Sequence, residues 1–167
     1  VKEEKRFDFG PFIGTELKGK VLGVVGTGKI GAEMIRIARG FGMKIVAFDL
    51  YQNEKLASEH NFPYLSLEDL LKRSDVVTLH LPLTPSTENL IGHEALRSMK
   101  EGSILINTAR GKIVDETALR EALDSGRLAA AGLDVIDDEG HPENDPLIGS
   151  HRTVITPHIG FYTKESI

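Results

Sequence analysis

The sequence predicts an α/β domain, a doubly wound parallel sheet with helices on both faces. Three observations carry that expectation. Short apolar runs alternate with amphipathic stretches along the chain. The first run enters a glycine cluster that opens a helical pattern. The alternation then continues as strand, helix, strand, which calls for right-handed crossovers between parallel strands. With 167 residues, 40% hydrophobic and 27% charged, the chain suits one domain with a real core and is too short for two ordinary ones.

The elements follow in order. Val21 to Val25 reads as a buried strand of small and β-branched residues. Residues 28–41 place Ile30, Met34, Ile35, Ala38 and Phe41 on one helical face, with Gly40 and Gly42 as the stop. Lys44 to Asp49 is a second strand. Ser66 caps a helix through Arg73, with Glu68 and Asp69 in the first turn, where the helix dipole favours acids. Asp75 to Leu79 is a strand, His93 to Met99 a short helix, and Ser103 to Asn107 a further strand. A helix runs from about Asp115 to Asp124 and stops at Ser125-Gly126. Ala130 to Ile136 and Thr153 to Thr156 complete the strands, separated by a polar, turn-rich loop over residues 137–152.

Composition excludes several classes. Lys plus Arg is 20 against 25 Asp plus Glu, a net charge of −5, unsuited to sequence-independent nucleic-acid or anionic-membrane binding. With no cysteine there is no disulfide, thiolate zinc site or thiol nucleophile, and no metal is expected. A reducing, cytoplasmic setting fits that composition. No apolar run approaches the ~18–20 residues of a membrane span, and the start VKEEKRFDF is charged where a signal peptide is apolar. The first residue is Val1, and Thr163 to Ser166 reads as the beginning of a helix, so the expectation is a piece of a longer polypeptide.

Gly26-Thr27-Gly28-Lys29-Ile30-Gly31 fits G-x-G-x-x-G. Alone the pattern is weak in a chain with 17 glycines, but here it leaves a buried strand and opens an amphipathic helix. Gly26 permits the tight turn, Gly28 lets backbone approach a pyrophosphate, and Gly31 lets helix pack on strand. The free N–H groups of the helix then face phosphate. Asp49 closes the second strand 18 residues after Gly31, where an acid hydrogen-bonds the ribose 2′-hydroxyl of NAD and repels the extra phosphate of NADP. No Arg follows in Leu50 to Asn53; Lys55 is the one nearby cation. The reading is a Rossmann-type nucleotide-binding domain that takes NAD.

Ligands in such sheets bind beyond the carboxyl ends of the strands. Standing at those ends are the glycine loop, Asp49, His80-Leu81-Pro82, Asn107 to Gly111, Asp134 with Glu139 soon after, and Pro157-His158. Arg110, Glu139 and His158 thus bring a cation, an acid and a proton shuttle to one edge.

The stretches LKGKVLGVVGTGKIG, SDVVTLHLPLTPSTENLIG, INTARGKIVDETALREAL, AAAGLDVIDDE and TPHIG, in that order, resemble the D-2-hydroxyacid dehydrogenase family from about Leu17 to Thr163. The resemblance implies a catalytic set of Arg110 in TARG, Glu139 five residues after Asp134, and His158 in TPHIG. Arg110 would pair with the substrate carboxylate and polarise the keto oxygen. His158 would carry the proton, with Glu139 fixing its tautomer and favouring its protonated form. For the cofactor, the resemblance implies Lys29 and Ile30 over the pyrophosphate, and Asp49, Leu81, Pro82 and Thr87 on the adenosine side. Thr108, Ala109 and Arg110 approach the nicotinamide ribose, Asp134 takes the carboxamide, and backbone near His158 and Gly160 closes the site. His80 reads as structural; His60, His93, His141 and His151 carry no signal.

The aromatic pair Phe161-Tyr162 resembles the D-lactate dehydrogenase branch, with Phe161 lining the pocket for a small apolar substrate side chain. The partition that follows is an N-terminal arm over 1–18, an NAD-binding domain over 19–160 and a truncated C-terminal helix from 161, with the family's substrate domain absent. A homodimer through this domain is implied. Alternatives left open are a reductase of phosphoglycerate, glyoxylate or hydroxypyruvate, and a non-catalytic NAD-sensing or corepressor module; Arg110, Glu139 and His158 together argue against the last.

Overall fold

A computed structural model describes residues 13–166. Six strands form one sheet: β1 Val21–Val25, β2 Lys44–Phe48, β3 Val76–Leu79, β4 Ser103–Asn107, β5 Leu128–Leu133 and β6 Thr153–Ile155. Their spatial order is β2-β1-β3-β4-β5-β6, and every pairing is parallel. The helices are α1 Lys29–Gly40, α2 Glu54–His60, α3 Leu67–Arg73, α4 His93–Ser98 and α5 Glu116–Asp124.

Successive strand residues point to opposite faces, and the core divides accordingly. Leu22, Val24, Ile45 and Ala47 pack with Ile35 and Ala38 of α1 and Leu56 of α2. Val25, Val46, Val77 and Leu105 pack on the other face with Leu70, Leu71, Leu96, Leu119 and Leu123 of α3, α4 and α5. The sheet is therefore covered on both sides, as a parallel sheet requires, and the strand order turns back at β1, between β2 and β3.

Register is what builds the site. Phe48, Val25, Leu79, Asn107, Leu133 and Ile155 are aligned across the sheet as the last row of their strands. The next residue of each strand, Asp49, Gly26, His80, Thr108, Asp134 and Thr156, emerges at one carboxyl edge. Ladder-like bonds extend the row: Gly26 N donates to Phe48 O at 2.8 Å, His80 N to Val25 O at 2.8 Å, and Asp134 N to Asn107 O at 2.9 Å.

The differences from the sequence reading have local causes. On α1 the apolar face is narrower than expected: Ile35 and Ala38 are buried, while Ile30 and Phe41 are 70% and 59% exposed. Gly31, not Ile30, meets β1 and brings the backbones together. Helix α2 falls where no element was assigned; Asn53 caps it, its side chain accepting from Leu56 N, but Leu56 is its one buried residue and leaves no periodic stripe. Strand β5 runs 128–133 instead of 130–136: Asp134 still donates its N–H to Asn107 O, but its carbonyl and carboxylate turn to the loop at 158–160.

Residues 161–166 show turns and a bend, with no completed helical turn among the described residues. Ser166 N donates to Thr163 O in a three-residue closure at 3.1 Å. The first true helical bond from Thr163 O would need residue 167, which lies outside the described residues. Of the arm assigned to 1–18, residues 1–12 also lie outside them; residues 13–17 have no regular element. Among the described residues no helix is long and apolar enough to cross a membrane.

Candidate active site

The glycine loop is built by close approach. Gly26 sits at φ +94°, and a Cβ there would stand 2.7 Å from His80 O; a Cβ on Gly31 would stand 2.0 Å from Gly26 O. Both positions exclude any side chain. Gly28 is different, since a Cβ would meet nothing within 4 Å. It caps α1 with no side-chain bond, and no acid stands in the first helical turn. Open space and unpaired helical N–H groups of a 12-residue helix therefore coincide at Gly28, Lys29 and Ile30, which fits a diphosphate.

Asp49 is held against that loop. Its Oδ2 accepts from Thr27 N at 2.6 Å and from Thr27 Oγ1 at 3.0 Å, and its Oδ1 accepts from Tyr51 N at 2.9 Å. A carboxylate offers about four acceptor positions, so one on Oδ1 remains for a ribose hydroxyl. Leu81 is half-buried and Pro82 exposed beside the loop. Thr87 donates to Pro82 O at 2.7 Å and accepts from Thr84 N at 2.8 Å, fixing the turn after β3. His80 is largely covered and 3.0 Å from Thr78 Oγ1; burial lowers its pKa to about 4, so it is neutral at ordinary pH.

At the end of β4, Asn107 is buried and braces the next turn. Its Oδ1 accepts from Ala109 N at 3.0 Å and its Nδ2 donates to Arg110 O at 2.9 Å. Thr108 and Arg110 are exposed and Ala109 is buried. The Arg110 guanidinium donates to Ala109 O at 2.6 Å and forms no ion pair among the described residues. Gly111 lies so near Ile136 that a Cβ would stand 2.1 Å from its carbonyl, which ties the arginine turn to the segment leading to Glu139.

His158 and Glu139 meet, with Nδ1 3.0 Å from Oε1 and 3.1 Å from Oε2. A carboxylate only accepts, so the shared proton resides on Nδ1 and Nε2 is left for other chemistry. His158 has φ +53°, left-handed for a non-glycine residue, and its N–H donates to Asp134 O at 2.9 Å. Asp134, 6% exposed, also gathers the turn through its carboxylate, accepting from Thr156 Oγ1, from Ile159 N at 3.0 Å and from Gly160 N at 2.7 Å. Burial alone would raise its pKa; the Thr156 hydroxyl, the two amides and nearby His158 outweigh it and hold the carboxyl below the usual range.

Asp134, Glu139 and His158 line one cleft of about 540 Å3, together with Ile136, Pro157 and Ile155. Arg110 is not on its wall. Phe161 stands edge-on to the His158 ring at 6.1 Å and to Tyr162 at 6.0 Å, and is 59% exposed. The sequence reading placed Asn107 and Gly111 at the carboxyl edge without assigning them a role, and did not name Tyr64, whose contacts join distant segments. Among the described residues no cluster of three or more His, Cys, Asp or Glu could hold a metal.

Sheet order, glycine loop and edge residues define a dinucleotide-binding domain. The chain belongs to the family described as D-isomer specific 2-hydroxyacid dehydrogenase, NAD binding domain, whose profile matches residues 2–160. Its cofactor is NAD. It is 46% identical over 154 residues to a glyoxylate reductase of Korarchaeum cryptofilum, covering 92% of this chain and 46% of that protein. It is 41% identical over 179 residues to an aromatic 2-oxoacid reductase of Clostridium sporogenes, covering 99% of this chain and 54% of that protein. Among solved structures it superposes on D-lactate dehydrogenase from Aquifex aeolicus complexed with NAD and lactic acid, with TM-score 0.90 and 39% identity over 99% of this chain and 54% of that one. The chain thus spans about half the length of the relatives it matches.

Proposed function

We propose that this domain carries the proton-transfer and cofactor-binding half of an enzyme that interconverts a D-2-hydroxy acid and its 2-keto acid. The observation that supports it most is the His158–Glu139 pair, 3.0 Å apart in a cleft that Asp134 shares. The bound cofactor would supply the hydride chemistry at C2 of the substrate, the oxidised form as acceptor and the reduced form as donor. Lys29 and Ile30 hold the diphosphate through backbone N–H groups, and Asp49 takes the adenosine ribose. Leu81, Pro82 and Thr87 flank the adenosine, and Thr108, Ala109, Asp134 and Gly160 surround the nicotinamide side.

Arg110 binds the substrate carboxylate with its planar fork and polarises the neighbouring oxygen. In the reductive direction His158 gives its Nε2 proton to the keto oxygen; in the oxidative direction Nε2 takes the hydroxyl proton. Glu139 keeps the other proton on Nδ1 and compensates the imidazolium charge. A carboxylate cradle supplied by further chain, closing over the cleft, would exclude water and complete the orientation.

A substrate with a small apolar side chain, such as D-lactate or pyruvate, is favoured, because Phe161 packs edge-on to the His158 ring. Glyoxylate or hydroxypyruvate is the second reading, supported by the glyoxylate reductase and hydroxypyruvate reductase relatives at 46% and 45% identity. A homodimer through this domain belongs to the same reading and is checked by light scattering. The experiment is a substrate panel followed by NADH absorbance, on this chain and on the longest polypeptide that carries it. Turnover of 2-keto acids is expected of the longer polypeptide and little of it from this chain alone; NADH binding without turnover of any 2-keto acid by the longer polypeptide would favour a sensing module.

A further inference from the structure

We propose that Tyr64 is a positioning residue for the ribose-binding carboxylate, acting through Thr27, and that it sets part of the selectivity for NAD over NADP. The proposal rests on the reading of Asp49 as the ribose ligand.

Four groups from three segments form a chain of hydrogen bonds. Asn53 N lies 3.0 Å from the Tyr64 hydroxyl, that hydroxyl 2.8 Å from Thr27 Oγ1, and Thr27 Oγ1 3.0 Å from Asp49 Oδ2. Chemistry fixes every direction. The carboxylate accepts only, so the single Thr27 hydroxyl proton goes to Asp49. Thr27 Oγ1 must then accept from Tyr64, whose oxygen accepts from Asn53 N–H. Tyr64 therefore supplies the proton that commits Thr27 to Asp49, and the polarisation runs toward the carboxylate.

The hydroxyl arrives from a fixed place. Residues around Tyr64 pair with β2 next to Asp49, with Ala47 N donating to Pro63 O at 3.1 Å and Leu65 N to Ala47 O at 2.8 Å. The ring packs edge-on against buried Phe62 at 5.4 Å. Thr27 is 5% exposed, so its hydroxyl has little water to substitute for a lost partner. Without the Tyr64 hydroxyl, Thr27 Oγ1 is free to turn and both Asn53 N and Asp49 Oδ2 lose a fixed neighbour. Asp49 then holds the 2′-hydroxyl less well, and a 2′-phosphate meets a carboxylate that is able to swing aside.

The test is calorimetric binding of NADH and NADPH to the folded chain carrying Tyr64→Phe, Asp49→Ala and the double substitution, with Thr27→Val as a second route to the same break. Tyr64→Phe keeps the ring packing and is expected to weaken NADH about five-fold, the equivalent of one buried hydrogen bond, while leaving NADPH unchanged or tighter. In the Asp49→Ala background the same change should have no further effect on NADH. Unchanged NADH affinity in both Tyr64→Phe and Thr27→Val, with a clear loss in Asp49→Ala, overturns the relay alone. An undiminished Tyr64→Phe effect in the Asp49→Ala background overturns it too, marking Tyr64 as a fold residue. No loss of NADH affinity in Asp49→Ala removes the ribose reading beneath it.

Discussion

Asp134 binds the turn that carries His158 twice over: its carbonyl accepts the His158 N–H at 2.9 Å, and its carboxylate accepts Ile159 N and Gly160 N at 3.0 and 2.7 Å. That clamp keeps a histidine at φ +53°, a conformation costly for any residue with a Cβ. Asp134→Asn keeps the size but turns a donor toward one of those amides. The expected cost is about 1–3 kcal/mol of stability, measured by urea unfolding. Because the native pKa lies below its ordinary 3.8, this stabilisation is present above that pH and is lost as pH falls through the lower native value. An unchanged unfolding midpoint at pH 7 would show that the carboxylate does not hold the turn.

Glu139→Gln in a catalytically competent polypeptide should lower turnover by about ten- to a hundred-fold, the usual effect of losing the group that orients a functional histidine. NADH affinity should stay within about two-fold, since the nearest described partner of Glu139 is His158 rather than the glycine loop. Turnover as a function of pH checks the role, because Gln no longer compensates the imidazolium. A profile and rate identical to those of the unsubstituted enzyme would remove Glu139 from the site.

Two titrations give opposite pH slopes. Burial first, then the charges of Asp145 and Asp137 against the opposing Asp137 N–H, leave Glu116 with a pKa of about 7. Its native value exceeds the ordinary 4.5, so its stabilisation is full below pH 4.5 and is lost as pH rises through about 7. His80 does the reverse: with a native pKa of about 4 against 6.5, its contribution is full above pH 6.5 and lost as pH falls toward 4. Glu116→Gln keeps an acceptor for Asp137 N and should raise stability at pH 8 with no gain at pH 4. His80→Gln should flatten the acid side instead. Parallel stability curves for all three proteins would contradict both assignments.

Gly111→Ala drives a methyl to 2.1 Å from the Ile136 carbonyl. Backbone cannot yield as a flexible side chain does, so a loss of about 1–3 kcal/mol is expected. Arg110 and the approach to Glu139 shift together, and turnover should fall more than NADH affinity. Wild-type stability and turnover would mean the two turns part freely.

Local pattern made the glycine loop, Asp49 and most of the helix and strand boundaries legible, because each is a short-range signal of spacing or capping. Ser66 and Asp115 cap α3 and α5 through side chains that accept from Asp69 N and Ala118 N, as their types foretell. Helix α2 escaped because one buried residue, Leu56, gives no period. Ile30 and Phe41 misled because an apolar residue on a helix says nothing about what faces it, and Gly31 takes the contact with β1. Tyr64 and Thr27, 37 residues apart, meet only in the folded chain, which no window of sequence contains, whereas the pairing of Glu139 with His158, 19 apart, was legible only through the family resemblance.

His158→Ala separates proton transfer from binding most directly, read as turnover of a 2-keto acid with NADH alongside calorimetric NADH affinity of the same preparation. Loss of general acid catalysis should cost about 10²–10⁴-fold in rate, with the affinity of the unsubstituted protein retained. Turnover that survives the substitution intact would contradict the assignment of His158 as the proton carrier and the reading of the cleft that depends on it.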